Sequence, residues 1–260
     1  MIFGHSAKPW EDTIEEIEFI AGLGMDMIEI VIEPPAALPE MLMSNASKIK
    51  AALKENKLVA YGHALHSVSL GSEDVVERAM SVLNIQQSID ASAAIGIEKL
   101  VVHATQPMYA LMNVRQWETT KRRMIESFSF LHDYGKRNNV QIMVENMSED
   151  PQRFFSFLDE VKGLKMTFDM GHAFIGGGMK FIKKYLEHPD KIEHIHCHDN
   201  HGEGDDHLAL GKGSIKIPEF CSELKKSGFD KSITLEIFHT PDRKKDVIHS
   251  METIKKHLKI

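Results

Sequence analysis

Eight short strand-like segments alternate with amphipathic segments along the whole of this 260-residue chain. The strand-like segments are rich in apolar and β-branched residues, and the stretches between them carry apolar residues at helical spacing. Parallel strands need long crossover connections, which helices normally supply, so this alternation predicts a parallel α/β sheet. The predicted strands are 2–4, 27–32, 58–63, 99–103, 140–146, 164–169, 192–196 and 232–237.

One predicted helix follows each strand, and no linker or low-complexity segment divides the chain, so we expect a single domain over residues 1–260. The length matches a (β/α)8 TIM barrel of about 250 residues. An open doubly wound sheet is the alternative, but its glycine fingerprint is missing after the first strand, where the sequence is Gly4-His5-Ser6-Ala7-Lys8. We therefore predict a single (β/α)8 TIM barrel. Its helices are expected at 14–23, 42–54, from 72, 114–138, from 150, 179–186, 218–226 and 242–258.

Composition restricts the functional classes. The 31 basic and 38 acidic residues give a net charge of -7, which disfavours a protein that coats nucleic acid. The longest apolar runs are far shorter than the roughly 20 residues that cross a bilayer, so no membrane association is expected. Only Cys197 and Cys221 are present, and the N-terminal segment does not resemble a signal peptide, so we expect a cytoplasmic protein. The sequence leaves a homo-oligomer open.

Histidine and carboxylate side chains gather at the predicted carboxyl ends of six consecutive strands, the third to the eighth. These ends form the floor of the active site in a TIM barrel. Side chains two apart on a strand share a face, so His194, His196 and His198 point into the barrel while Ile195 and Cys197 face the helices. The residues at the six strand ends are His63, His103, Glu145, Asp169, His196 and Glu236.

Such a cluster predicts a metal centre, because like charges packed together in a partly buried site cannot all stay ionised without a counter-charge. Imidazole and carboxylate ligands suit Zn, Mn, Fe or Co better than Ca or Mg. Two divalent ions would balance the four negative charges of Glu145, Asp169, Asp205 and Glu236. We expect one to three divalent ions, with Zn or Mn favoured. A structural metal site is normally closed by protein ligands, whereas this one opens at the barrel mouth, which disfavours a non-catalytic role.

At these residues the sequence resembles the xylose-isomerase-like TIM-barrel superfamily, which includes sugar isomerases, sugar epimerases and endonuclease IV. The most specific stretches are HIHCHDNHGEGDDHLALGKGS from His194 to Ser214, FDMGHA around Asp169 and VENM around Glu145. The resemblance implies that a single-metal site consists of Glu145, Asp169, His196 and Glu236. The additional ligand positions of endonuclease IV hold His63, His103, His172, Asp205 and His207.

The resemblance implies two alternative reactions. The favoured one is a metal-dependent isomerisation or epimerisation of a sugar, sugar phosphate or related polyol through an enediolate-type proton transfer. Glu145 and Glu236 are then the proton acceptor and donor, and His172 positions a hydroxyl group. The alternative is an endonuclease IV-like, zinc-dependent hydrolysis of DNA at apurinic or apyrimidinic sites. DNA is a partner only in that second case; otherwise the partner is a small carbohydrate.

Two departures from the family patterns bear on this choice. Where endonuclease IV has a longer polar loop with an arginine that enters DNA, this chain reads Ile32-Glu33-Pro34-Pro35. Where ketose 3-epimerases have a substrate-contacting arginine, this chain reads His201-Gly202-Glu203-Gly204. Lys212 and His198 are the expected substrate contacts, and the sequence leaves open a role for His198 as a further nitrogen ligand. The other histidines near the mouth are expected to support the ligands or to lie at the rim, namely His5, His66, His194, His201 and His239.

Overall fold

The computed structural model describes residues 1–104, 112–238 and 240–260, and its strands form a closed eight-stranded barrel. Each strand pairs in parallel with the next, and the first pairs with the last, which confirms the predicted (β/α)8 TIM barrel. The strands are β1 Ile2–Ser6, β2 Met27–Val31, β3 Val59–His63, β4 Lys99–His103, β5 Gln141–Glu145, β6 Lys165–Asp169, β7 Ile192–Cys197 and β8 Ser232–Leu235.

Nine helices surround the barrel in the described part of the chain. The second predicted helix is two helices, because Asn45 leaves helical geometry and its side-chain amide donates to the Met41 carbonyl at 3.0 Å. No described helix has the length and apolar character to cross a membrane. The helices are α1 Thr13–Gly22, α2 Pro39–Ser44, α3 Ala46–Glu55, α4 Val75–Ile95, α5 Val114–Arg137, α6 Pro151–Leu158, α7 Met170–Leu186, α8 Ile217–Ser227 and α9 Arg243–Leu258.

Helix α7 begins at Met170 rather than at the predicted residue 179. The Asp169 carboxylate starts it by accepting a hydrogen bond from the His172 backbone N–H at 2.5 Å. Gly177 and Gly178 then interrupt the helical backbone, and Gly178 adopts a positive φ of 62°. This glycine-rich interruption explains why the sequence predicts only the later half of the helix.

The barrel interior changes from apolar to polar along the strands. Its amino-terminal half holds a separate apolar cluster that contains Met27, Tyr61, Val101 and Met143. Two residues further along β3 and β4, His63 and His103 replace this apolar layer with imidazole rings. The inward orientation predicted for His63 and His103 from strand alternation is therefore confirmed, and the polar layer lies at the carboxyl ends of the strands.

Candidate metal centre

Six histidines and five carboxylates converge at the carboxyl end of the barrel in the described residues. All nine ligand positions predicted from the sequence belong to this group. In the strand-end set of Glu145, Asp169, His196 and Glu236, the ligand atoms lie within 4.8 Å of one another. The other members are Glu29, His63, His103, His172, His198, Asp205 and His207.

Glu145, at the end of β5, lies between three of the imidazole rings. Its Oε2 lies 3.2 Å from His63 Nε2 and 2.9 Å from His103 Nε2. Its Oε1 lies 3.1 Å from His196 Nδ1. Burial alone would raise the pKa of the Glu145 carboxyl, but the neighbouring charges of His196 and His103 hold that pKa well below its usual range. Glu145 is therefore an ionised carboxylate with both oxygens directed at nitrogen ligands.

Asp205 extends the cluster from the loop between β7 and α8. Its Oδ2 lies 3.2 Å from His172 Nε2 and 3.1 Å from His207 Nε2. The loop is held by Asp199, whose carboxylate accepts backbone N–H hydrogen bonds from four residues at 2.9–3.0 Å. These donors are Asn200, Gly211, Gly213 and Ile215. Asp199 is not among the residues predicted from the sequence, although it directly follows the strand-seven histidines and precedes a glycine-rich segment that is rich in free N–H groups.

Three of the histidines are oriented as metal-binding histidines usually are. The Nδ1–H of His63 donates to the Ala64 carbonyl at 2.9 Å, and that of His172 donates to the Asn146 carbonyl at 3.0 Å. His207 donates in the same way to the Glu236 carbonyl at 3.1 Å. This hydrogen bond fixes the ring and leaves Nε2 directed at the carboxylates.

The same carboxylates favour protonated rings. Burial alone would lower the pKa of His63, but its hydrogen bond to Glu145 raises that pKa to about 9. Burial and the hydrogen bond to Asp205 oppose each other in the same way at His207, whose pKa rises to about 9. Metal ligation requires the deprotonated ring, so a divalent ion would displace these protons and take over their charge-balancing role.

The donor set fits a divalent transition metal on two observations. The buried Oδ2 of Asp169 has no hydrogen-bond partner and lies 4.0 Å from His196 Nδ1. Contacts of 2.9–3.2 Å bring imidazole nitrogens and carboxylate oxygens together around Glu145 and Asp205, so both kinds of donor that a divalent ion binds are adjacent there. Mixed imidazole and carboxylate donors suit Zn or Mn.

Glu29 is a member of the cluster that the sequence analysis missed. It is fully buried in the middle of β2. Its carboxylate oxygens lie 3.1 Å from His196 Nε2 and 3.1 Å from His194 Nε2, and they accept a hydrogen bond from the Thr234 hydroxyl at 3.3 Å. Glu29 therefore contacts one nitrogen of the His196 ring, Nε2, while the other nitrogen, Nδ1, faces Glu145. The sequence does contain a sign of this role. Glu29 is the one carboxylate in the apolar segment Met27–Val31, and strand alternation places it on the inward face.

A cavity of about 560 Å³ opens onto the cluster. Its polar lining comes mainly from the cluster, and Trp10 and Phe238 contribute aromatic surface. Glu33 and His66 also line it and pair with each other, with His66 Nδ1 2.5 Å from Glu33 Oε1. No lysine or arginine lines the cavity in the described ranges, and residues 105–111 and 239, which lie outside them, include neither type.

The two predicted substrate contacts do not line this cavity. Lys212 donates from Nζ to Asp246 at 2.6 Å, because the Asp246 carboxylate in the first turn of α9 lies beside it. His198 is fully buried, with Nε2 3.3 Å from Asp169 and 3.3 Å from Asp205.

The remaining histidines differ in their surroundings. His5 and His194 are buried and support neighbouring strands through hydrogen bonds to Leu235 and Ser232. His201 is exposed. His239 lies outside the described residues.

Comparison with known proteins gives a family match and several relatives. Residues 17–257 match the family model of the xylose isomerase-like TIM barrel. An uncharacterized protein from Methanocaldococcus jannaschii is 32% identical over 164 residues, which are 61% of this chain. The chain covers 62% of that relative, less than two thirds of its length.

Two further similarities bear on the chemistry. The crystal structure of a D-tagatose 3-epimerase-like protein has a TM-score of 0.81 and 25% identity, and the match covers 100% of this chain and 97% of that one. A probable endonuclease 4 from Mycobacterium leprae is 23% identical over 221 residues, covering 79% of this chain and 82% of that protein.

Proposed function

This chain belongs to the xylose isomerase-like TIM barrel family, and on that premise we propose that it is a divalent-metal-dependent isomerase or epimerase of an uncharged sugar or related polyol. The observation that carries the proposal is the lining of the cavity. Acidic and imidazole groups meet aromatic surface there, and no lysine or arginine contributes in the described ranges. A sugar phosphate or DNA presents phosphates at a distance from the reacting atoms, and proteins hold such phosphates with cationic side chains.

The strand-end set of Glu145, Asp169, His196 and Glu236 would hold the ion of this reaction. When bound, a divalent ion supplies positive charge that stabilises negative charge developing on substrate oxygens. His63 and His103 restrain Glu145 through its Oε2. The similarity to the D-tagatose 3-epimerase-like structure supports a sugar as the substrate class.

Glu145 and Glu236 are the proposed proton-transferring groups. Both line the cavity, and their ligand atoms lie within 4.8 Å of each other. One carboxylate would remove a proton from the substrate carbon beside the carbonyl, and the other would return a proton to the product. The Ser6 hydroxyl donates to Glu236 Oε1 at 3.2 Å, which orients that carboxylate. His172, which also lines the cavity, would position a substrate hydroxyl.

The aromatic surface supports the choice of a carbohydrate. The rings of Trp10 and Phe238 lie 6.3 Å apart and both line the cavity. Aromatic rings pack well against the apolar C–H face of a sugar and exclude water from it. A substrate held there would present its hydroxyl and carbonyl oxygens to the polar cluster.

Isotope exchange tests this proposal. Protein loaded with Mn, Co, Mg or Zn is incubated in deuterated water with a panel of neutral ketoses and aldoses and with their phosphorylated counterparts. We expect deuterium to enter a neutral sugar at the carbon next to the carbonyl, more slowly into its phosphorylated counterpart, and not at all with Glu145→Gln or Glu236→Gln. Absence of exchange into every sugar with every metal would contradict the proposal.

Hydrolysis of abasic DNA is a second candidate, favoured by one observation. The positions that match the additional endonuclease IV ligands, His63, His103, His172, Asp205 and His207, all lie in the same cluster. A zinc-loaded sample is therefore also incubated with an oligonucleotide that carries an abasic site. The sugar proposal predicts that the oligonucleotide stays intact. Cleavage that disappears in Glu145→Gln would select the nuclease instead.

A further inference from the structure

His198 is a buried histidine that the proposed reaction leaves without a role. The residue has no exposed surface, and neither of its buried ring nitrogens makes a hydrogen bond of good geometry. Leaving buried polar atoms unpaired costs about 1–3 kcal/mol for each group, so such a side chain normally has a partner. The surroundings of His198 therefore indicate what its nitrogens bind.

Two carboxylates flank the Nε2 atom of His198. It lies 3.3 Å from Asp169 Oδ1 and 3.3 Å from Asp205 Oδ1. These separations match the roughly 3.3 Å expected between two ligands of one tetrahedral ion. The His198 ring also stacks on that of His207, with 4.3 Å between centroids, and His207 Nε2 faces the other oxygen of Asp205.

The chain makes room for this ring at Gly171. A Cβ atom added there would lie 2.0 Å from His198 Cε1 and 2.2 Å from Nε2. Gly171 stands between Met170 and His172 in the first turn of α7, directly after Asp169. The sequence Asp169-Met170-Gly171-His172 thus supplies two members of the cluster and the space that a third member, His198, occupies.

We propose that His198 is a metal ligand, and that its Nε2 joins Asp205 and His207 in holding a second divalent ion beside the strand-end set. The ligand atoms of these three residues lie within 4.8 Å of one another. Asp169 lies between the two sites, since its Oδ1 faces His198 and its Oδ2 lies 4.0 Å from Nδ1 of His196, a member of the strand-end set. This assignment rests on the proposed metal-dependent function and replaces substrate contact as the role of His198.

Metal binding by His198→Asn tests the assignment without reference to activity. Wild type and variant are dialysed to equilibrium against Zn²⁺, and bound ions per chain are counted by elemental analysis. We expect the wild type to bind at least two ions. The variant should lose one of them, or bind it at least about tenfold more weakly. Visible absorption of Co²⁺-loaded protein should lose the contribution of that site. His249→Asn, which removes an exposed histidine of α9, should match the wild type in both measurements.

Each other outcome has a distinct meaning. A His198→Asn variant with the stoichiometry, affinity and Co²⁺ spectrum of the wild type overturns the ligand assignment and leaves the proposed function standing. A wild type that binds no ion overturns the proposed function itself. If the variant does not fold, anomalous scattering from zinc-loaded wild-type crystals decides the matter. A zinc ion about 2.1 Å from His198 Nε2 supports the assignment. Zinc ions bound elsewhere in the protein, with no ion at His198 Nε2, overturn it.

Discussion

Replacing Glu29 with glutamine should weaken metal binding at the strand-end set without changing any of its four members. The Glu29 carboxylate is fully buried and lies 3.1 Å from Nε2 of both His194 and His196. A glutamine amide keeps one acceptor oxygen and turns a donor group toward the second ring. One charge-assisted hydrogen bond, worth about 1.5–3 kcal/mol, is therefore lost. Changes to residues that orient a metal-binding histidine typically cost 10–100-fold in affinity, or about 1.4–2.7 kcal/mol.

Competition with a chromophoric chelator measures this effect as the dissociation constant for Zn²⁺. Glu193→Gln is the matched control, because Glu193 lies on β7 and pairs with Lys99 and Lys231 at 2.7 and 2.8 Å, away from the metal cluster. We expect Glu29→Gln to raise the dissociation constant by about 10–100-fold. Glu193→Gln should leave it unchanged. A folded Glu29→Gln protein that binds Zn²⁺ as tightly as the wild type would refute the positioning argument for His196.

Three further substitutions test other parts of the account. Phe238→Ala should lower kcat/KM for the sugar by about tenfold, mainly through KM, because it removes an aromatic wall of the cavity. Its metal content should not change. Unchanged steady-state kinetics would argue against sugar packing on this ring. Lys212→Met should leave KM unchanged and cost less than about 1 kcal/mol of stability, since the half-exposed Lys212 pairs with Asp246; a large rise in KM would place Lys212 at the substrate. Burial, and then the charge of Arg243, lower the pKa of His5 from 6.5 to about 3. The neutral His5 ring therefore contributes fully to the free energy of unfolding above pH 6.5, and this contribution is lost as the pH falls toward 3. Between pH 6.5 and 3, the urea midpoint of His5→Gln should fall less steeply with decreasing pH than that of the wild type. Equal slopes would contradict the lowered pKa of His5.

The barrel and the strand-end ligands could be predicted because both depend on local pattern. Strand alternation alone turns His63, His103 and His196 inward, and parallel strands bring their carboxyl ends to one mouth. Strand alternation does not place Asp205 and His207, because they lie on a loop whose path depends on distant hydrogen bonds. Asp199 holds that loop by accepting N–H groups from residues up to 16 positions away. Periodicity does not encode such contacts.

The predictions that the structure does not support depend on tertiary neighbours. Lys212 follows the cluster in sequence, but the Asp246 carboxylate from α9 draws its ammonium group away from the cavity. Glu29 was missed because only the strand ends were considered, whereas this carboxylate lies mid-strand and reaches His196 across the barrel. The role of His198 depends on the space at Gly171, which is visible only once α7 and β7 are packed together.

The metal content of the protein tests the central claim most directly. Elemental analysis after reconstitution with Zn²⁺ or Mn²⁺ and dialysis against buffer without metal gives the number of tightly bound ions per chain. Because Glu145 contacts His63, His103 and His196 at once, we expect at least one retained ion in the wild type and clear loss of it in Glu145→Gln. A wild-type chain that retains no ion above the buffer blank would contradict the account.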